Sequence, residues 1–139
     1  MKNLTVRDVM TAQVMTLSKR DRASDAYDLM GTKNIRHVPI VDEDGRLEGL
    51  VTQRDLLSHV LAVTQDLPMS ARRALLDTVL LETVMTRVPE TVDPSDSLVD
   101  AGGLLLEHKF GCLPVVEGDQ LVGILTEADF VRTVVETLG

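Results

Sequence analysis

Gly49-Leu50-Val51-Thr52-Gln53-Arg54-Asp55 and Gly123-Ile124-Leu125-Thr126-Glu127-Ala128-Asp129 share one pattern, Gly-apolar-apolar-Thr-x-x-Asp, and the rest of the 139-residue chain falls into register around them. Toward the N-terminus, Val9, Met10, Thr11, Thr16, Asp25, Ala26, Leu29, Pro39, Val41 and Leu47 match Val84, Met85, Thr86, Thr91, Asp100, Ala101, Leu104, Pro114, Val116 and Leu121. One residue is lost along the way. The loss falls in a turn, Asp42-Glu43-Asp44-Gly45-Arg46 in one copy and Glu117-Gly118-Asp119-Gln120 in the other, where a duplicated unit tolerates a deletion. The chain is an internal repeat and must be read as two copies of one unit.

Each copy predicts the order β-α-β-β-α. A Val-Met-Thr head leads into a brief extended piece at Thr16-Leu17 or Thr91-Val92. Ala26, Leu29 and Met30 stand at i, i+3, i+4, as do Ala101, Leu104 and Leu105, which makes one apolar stripe on a helix. Val38 to Val41 and Leu47 to Val51 flank a Gly-containing turn and predict a hairpin, as do Leu113 to Val116 and Leu121 to Leu125. A second helix opens at Thr52 and at Thr126, with Leu56, Leu57, Val60, Leu61 and Phe130, Val131, Val134, Val135 as its expected buried positions. Between the copies, Pro68 ends one helical stretch and Ser70 is expected to cap the next. The reading divides the chain into repeat 1 at 1–62, a helical linker at 63–80 and repeat 2 at 81–139. Short apolar sheets need cover, so the expected fold is α+β and sandwich-like, two pseudo-twofold copies packed through their sheets into one module.

Composition narrows the function. With 44% hydrophobic and only 2% aromatic residues, the core is aliphatic, and a chain of this length can bury one without disulfide or metal. No apolar run approaches the roughly 18 residues that a membrane span needs, and the opening MKNLTVRDVM carries charges where a signal peptide is apolar. The expected location is the cytoplasm, which the single cysteine, Cys112, fits. Against 14 Lys+Arg stand 22 Asp+Glu, a net charge of −8, so the chain lacks the positive field that drives nucleic-acid binding. A nucleotide is still allowed, because a few N–H donors and one or two cations offset the field locally.

The repeated pattern has a chemistry of its own. A strand that ends at Thr and a helix that starts there present unpaired N–H groups and the positive end of the helix dipole, where an anion settles. The Asp carboxylate accepts two hydrogen bonds at once, which suits the vicinal hydroxyls of a ribose. The Gly lets a backbone or a ring approach closely. The same Thr-x-x-Asp is also a capping box, in which Thr and Asp satisfy the helix's own first N–H groups, and the residues alone leave both uses open.

Two copies of this pattern, two hairpin prolines after Val38 and Leu113, and two Val-Met-Thr heads resemble the tandem cystathionine-β-synthase (CBS) domain pair of the stand-alone bacterial or archaeal type. The resemblance covers all but the linker. It implies a non-catalytic regulatory module that binds an adenosine compound, AMP, ADP, ATP or S-adenosylmethionine, in clefts between the copies, with no required cofactor. It also implies which residues take part. One pocket would use Thr52 and Asp55, with Arg36 and His37 on the phosphate side, Arg54 nearby, and Thr86, Phe110 and Gly111 toward the base. The other would use Thr126 and Asp129, with Gly111 and Cys112 on the phosphate side and Thr11, Ile35 and Arg36 toward the base. Cations stand in the first only, so a polyphosphate is expected to favour it.

Cys112 alone reads as a small core residue, because its flanks are apolar. An enzyme finds poor materials: His37, His59 and His108 show no metal-ligand spacing, and neither a Gly-x-Ser-x-Gly elbow nor a phosphate-binding loop occurs. Neither catalysis nor a metal site is expected. The competing reading is a ligand-free dimerisation or docking module for a partner enzyme or transporter. The resemblance implies a homodimer in either case.

Overall fold

The computed structural model describes residues 3–87, 90–108 and 111–139; within that range the side chains of 60–64 are left aside. The chain forms two compact units, Met15–Val88, and Met1–Val14 together with Pro89–Gly139. These units do not follow the repeat boundaries read from the sequence. Each holds the body of one copy and the Met-Thr head of the other.

Helix α1 Val6–Val9 belongs to the other unit, and α2 Ala23–Lys33 opens the unit 15–88. Ala23, Ala26 and Met30 put one face of α2 into the core. The helix stops at Asn34, whose left-handed backbone (φ 53°) suits Asn, and whose N–H bonds to the Met30 carbonyl. Strands β1 His37–Val41 and β2 Leu47–Thr52 form the hairpin, with His37 opposite Thr52 and Ile40 opposite Gly49. Its turn is tied by the Asp42 carboxylate, which accepts from the Asp44 and Arg46 N–H groups at 2.9 Å each. Gly45, at φ 81°, takes the turn position that a side chain resists. Leu17 bridges the free edge of β1 in parallel at Ile40, and β3 Thr86–Arg87 covers the free edge of β2. Helix α3 Gln53–Thr64 follows β2, and α4 Met69–Leu76 lies in the linker. Val38, Ile40, Val51, Leu56, Leu76, Leu81 and Met85 complete the core.

The other unit is built the same way. Helix α5 Leu98–Glu107, strands β4 Cys112–Glu117 and β5 Gln120–Thr126, and helix α6 Glu127–Leu138 correspond to α2, β1, β2 and α3. Val92 bridges β4 in parallel at Val115, and Thr11 bridges β5 at Ile124. The N-terminal segment is stitched in by backbone bonds from Val6 N–H to the Asp96 carbonyl (2.9 Å) and from Leu98 N–H to the Leu4 carbonyl (3.0 Å). Val6 is fully buried among Val92, Leu98, Ala101, Leu113, Val115 and Leu125.

Two expectations need correction. Ser70 does not cap α4; the helix starts at Met69 with Pro68 as its cap residue, whose fixed φ is already right for a helix entry. Leu57, Val131, Val134 and Val135 are exposed, not buried, whereas Leu56 is buried and Phe130 packs against the core. At about 100° per residue, α6 turns Asp129 and Phe130 toward the core and points Val131, Val134 and Val135 away from it. Val60 and Leu61 lie outside the described side chains.

Candidate functional site

The head exchange explains the glycine of the pattern. A Cβ on Gly49 would lie 2.7 Å from Met85 Sδ and 2.9 Å from the Thr86 carbonyl oxygen. A Cβ on Gly123 would lie 2.7 Å from Met10 Sδ and 3.0 Å from the Thr11 carbonyl oxygen. Each glycine is therefore the place where the Met-Thr head of the opposite copy crosses the second hairpin strand. What approaches the glycine is backbone. Thr86 is thereby paired with Leu50, and Thr11 with Ile124, so each head threonine sits on the strand that leads into a Thr-x-x-Asp.

At that point the strand becomes a helix. Thr52, buried and extended (φ −106°, ψ 159°), caps α3: its Oγ1 accepts from the Asp55 N–H at 3.1 Å, and its own N–H donates to Asp55 Oδ2 at 3.1 Å. The Gln53 N–H donates to the Arg36 carbonyl at 2.9 Å, which fixes the Arg36-His37 segment beside the start of α3. Thr52, Asp55, Arg36, His37 and Thr86 are thus brought together within one unit by backbone pairing. Arg36 and Arg54 are exposed, and His37, Asp55 and Thr86 are half-buried.

Thr126 caps α6 in the same way, accepting from the Asp129 N–H at 3.3 Å and donating its N–H to Asp129 Oδ2 at 2.9 Å. Here the surroundings differ. The Thr126 hydroxyl also donates to Oδ2 (3.2 Å), the Thr11 hydroxyl donates to Oδ1 (3.3 Å), and the Arg132 guanidinium, one turn along α6, is ion-paired with Oδ1. Asp129 is 2% exposed. The Arg36 position of the first copy is taken by Gly111, at φ 78°, with the Glu127 N–H on its carbonyl at 3.3 Å. Cys112 does not serve as a side-chain contact on the phosphate side: it is 2% exposed in the core, and burial pushes its thiol up to about 12. A neutral, enclosed thiol offers nothing to an anion. Phe110 lies outside the described residues.

Sequence reasoning missed three things. It did not see Arg132, although an Asp and an Arg at i, i+3 on a predicted helix is a legible signal. Thr5-Val6-Arg7-Asp8 is a third Thr-x-x-Asp, and it too caps a helix, with Thr5 N–H on Asp8 Oδ2 at 2.9 Å. It also missed a cavity of about 300 Å³ in the unit 15–88, lined by Tyr27, Met30 and Gly31 of α2, by Asn34, Ile35 and Arg36, and by Gln53, Leu56 and Leu57 of α3. Of the expected site residues, Ile35 and Arg36 face it. Among the described residues, no three His, Cys, Asp or Glu side chains gather closely enough to hold a metal ion. No helix among them is long and apolar enough to cross a membrane.

The family model of the CBS domain matches residues 6–62 and 81–136. The chain belongs to the CBS-domain family. It is 33% identical over 127 residues to the CBS domain-containing protein YhcV of Bacillus subtilis, covering 90% of this chain and 81% of that protein. It is 31% identical over 134 residues to the Methanocaldococcus jannaschii protein MJ1225, of which it spans 42%. Among solved structures, CBSX2 of Arabidopsis thaliana in complex with AMP superposes with a TM-score of 0.81 at 31% identity, covering 97% of this chain and 98% of that one. A CBS pair is a regulatory, non-catalytic module, and its α+β fold is the one described above.

Proposed function

We propose that this CBS pair senses an adenosine compound, held at the start of α3. Thr52 and Asp55 take the ribose edge, Arg36 and His37 the phosphate, and Thr86 supplies a hydroxyl from the exchanged head. The observation that carries the reading is the state of Asp55. Its Oδ2 is engaged by the Thr52 N–H, while its Oδ1 has no partner among the described residues, and Arg36 is fixed beside the same helix start. A carboxylate that is held in place by one oxygen and open at the other is preorganised for a diol. The AMP complex of CBSX2 supports the ligand class. Binding would regulate by favouring one conformation to the extent that affinity differs between states.

The test is calorimetric titration with AMP, ADP, ATP and S-adenosylmethionine on the wild type and on Asp55→Asn. Asparagine retains a carbonyl oxygen to accept from the Thr52 N–H, so the cap survives while the diol loses its carboxylate. At least one compound is expected to bind the wild type, at least tenfold more tightly than the variant. Equal affinity for a folded Asp55→Asn would overturn the ribose assignment.

One observation favours a second, compatible property. Val131, Val134, Val135 and Leu138 leave an apolar face of α6 exposed, and such a face on a solitary chain is a liability. A homodimer formed over it is the proposal, and a mass of one chain, 15.2 kDa, by light scattering at micromolar concentration would refute it.

A further inference from the structure

The two Thr-x-x-Asp carboxylates differ in how many of their acceptor sites are occupied. A carboxylate has roughly four lone-pair sites. At Asp129 four donors fill them: the Thr126 N–H and hydroxyl on Oδ2, and the Thr11 hydroxyl and Arg132 guanidinium on Oδ1. At Asp55 the Thr52 N–H is the one donor among the described residues. The difference has an identifiable source. Arg132 stands three residues after Asp129, and the matched position after Asp55 is Ser58, an exposed hydroxyl that makes no bond to it.

We propose that Arg132 is a positioning residue that keeps Asp129 closed to ribose, so that each chain carries one working adenosine site, at Asp55. This inference rests on the ribose reading of the pattern and names which copy performs it. A neutral diol can reach Asp129 only by displacing a charge-assisted bond, and two ribose hydroxyls do not replace a guanidinium on a carboxylate with almost no solvent access. The Arg132 side chain is half-exposed, so it can swing away once its partner is satisfied otherwise, which makes the closure removable by substitution. Both copies retain the capping box, so closure does not come from a broken helix start.

The experiment is equilibrium dialysis of AMP against the full chain, with ligand-free melting recorded for each variant. The wild type is expected to bind one AMP per chain, and Asp55→Asn to bind none. Arg132→Ser, which installs the residue of the first copy, is expected to add a second site at least about tenfold tighter than any residual binding there in the wild type. The double variant Arg132→Ser with Asp55→Asn then binds one, at Asp129, and Arg132→Lys, which keeps the charge, stays at one. Two sites in the wild type, or an Arg132→Ser chain that melts normally and still binds one, would overturn the closure while leaving the ribose reading intact. Loss of AMP in Arg132→Ser would also overturn it, by making Arg132 a ligand contact. If Arg132→Ser fails to fold, the wild-type stoichiometry and its loss in Asp55→Asn still decide the assignment. No AMP bound by any chain overturns the ribose reading and this inference with it.

Discussion

Asp55 and Asp129 close the same capping box, on the same pattern, after the same glycine, yet one carboxylate is open on one oxygen and the other is enclosed on both. The comparison shows that Thr-x-x-Asp specifies a helix start, and that neighbours outside the pattern decide whether the carboxylate is left over for anything else. Thr5-x-x-Asp8 makes the point from the other side, because it caps a helix without the preceding Gly-apolar-apolar strand. The two copies also differ at the residue before the hairpin. Arg36 presents a guanidinium there, whereas Gly111 takes a left-handed backbone that an arginine would adopt only with strain, so the cation cannot simply be transplanted.

The shared part of the comparison is the most sensitive to perturbation. Gly49→Val and Gly123→Val each drive a branched side chain into the carbonyl oxygen of the exchanged head, at 2.9 and 3.0 Å from the first added atom. Neither backbone can withdraw without breaking its strand pairing. Each variant is expected to lose about 3 kcal/mol or more by chemical denaturation, and by similar amounts. Gly103→Ala, with open space around its Cβ in α5, is the control and should gain up to about 1 kcal/mol. A tolerated Gly123→Val beside a disruptive Gly49→Val would show that the heads are not equivalent.

The carboxylates come next, and should respond in opposite senses. Asp129→Ala removes a cap and strands the Arg132 and Thr11 donors, and is expected to cost about 2 kcal/mol of stability, whereas Asp55→Ala removes a cap alone and should cost about 1 kcal/mol. Nucleotide binding should invert that order, with Asp55→Ala abolishing the ligand-induced rise in melting temperature and Asp129→Ala leaving it. A chain in which Asp55→Ala is the more destabilising and retains the nucleotide response would return Asp55 to a purely structural role.

Much of this was legible in the sequence, and the limits have physical causes. The hairpins, both apolar stripes and the helix starts at Thr52 and Thr126 follow from local periodicity and turn chemistry, which neighbouring residues determine among themselves. The exchange of heads came only from the family resemblance, which put Thr86 with Thr52 and Thr11 with Thr126; the residues themselves do not show it, because Met10 meets Gly123 and Met85 meets Gly49 through pairing between distant segments, and equal copies give no local preference for their own head. The burial of α3 and α6 was less legible, because Val134 and Val135 are as apolar as Leu56 and a local pattern does not say which of two apolar sides of a helix meets the core. Arg132 was readable from its i, i+3 spacing to Asp129, but it lies outside the repeat, since Ser58 stands at the matched position of the first copy.

The cation at Arg36 sharpens the comparison by ligand rather than by stability. Removing it with Arg36→Ala is expected to weaken ATP about tenfold, or about 1.4 kcal/mol, and to leave adenosine unchanged, because a charge-assisted bond to phosphate is lost and none to the nucleoside. Calorimetry with both ligands distinguishes this from a general loss of shape, in which the two would fall together.

The smallest effect lies farthest from the carboxylates, in one exposed tether per unit. Arg73 of α4 grips Asp28 of α2 through two bonds of 2.6 and 2.7 Å, whereas Arg7 meets Glu117 through one of 2.7 Å. The Arg73 guanidinium hydrogen bonds hold the Asp28 carboxyl below its ordinary range, so the native state binds fewer protons there than the unfolded chain does. The stabilisation is therefore complete above the ordinary carboxylate value and is lost as the pH falls through the lowered one. Both partners are about half exposed, which screens the pair and keeps its contribution small. Arg73→Ala should accordingly melt slightly below the wild type at pH 7 in dilute buffer, with the gap closing toward pH 2 and in 1 M salt. Arg7→Ala should show a smaller gap at pH 7, since one bond replaces a planar fork. A gap for Arg73→Ala that persists at pH 2 would mean that its aliphatic stem matters more than its charge.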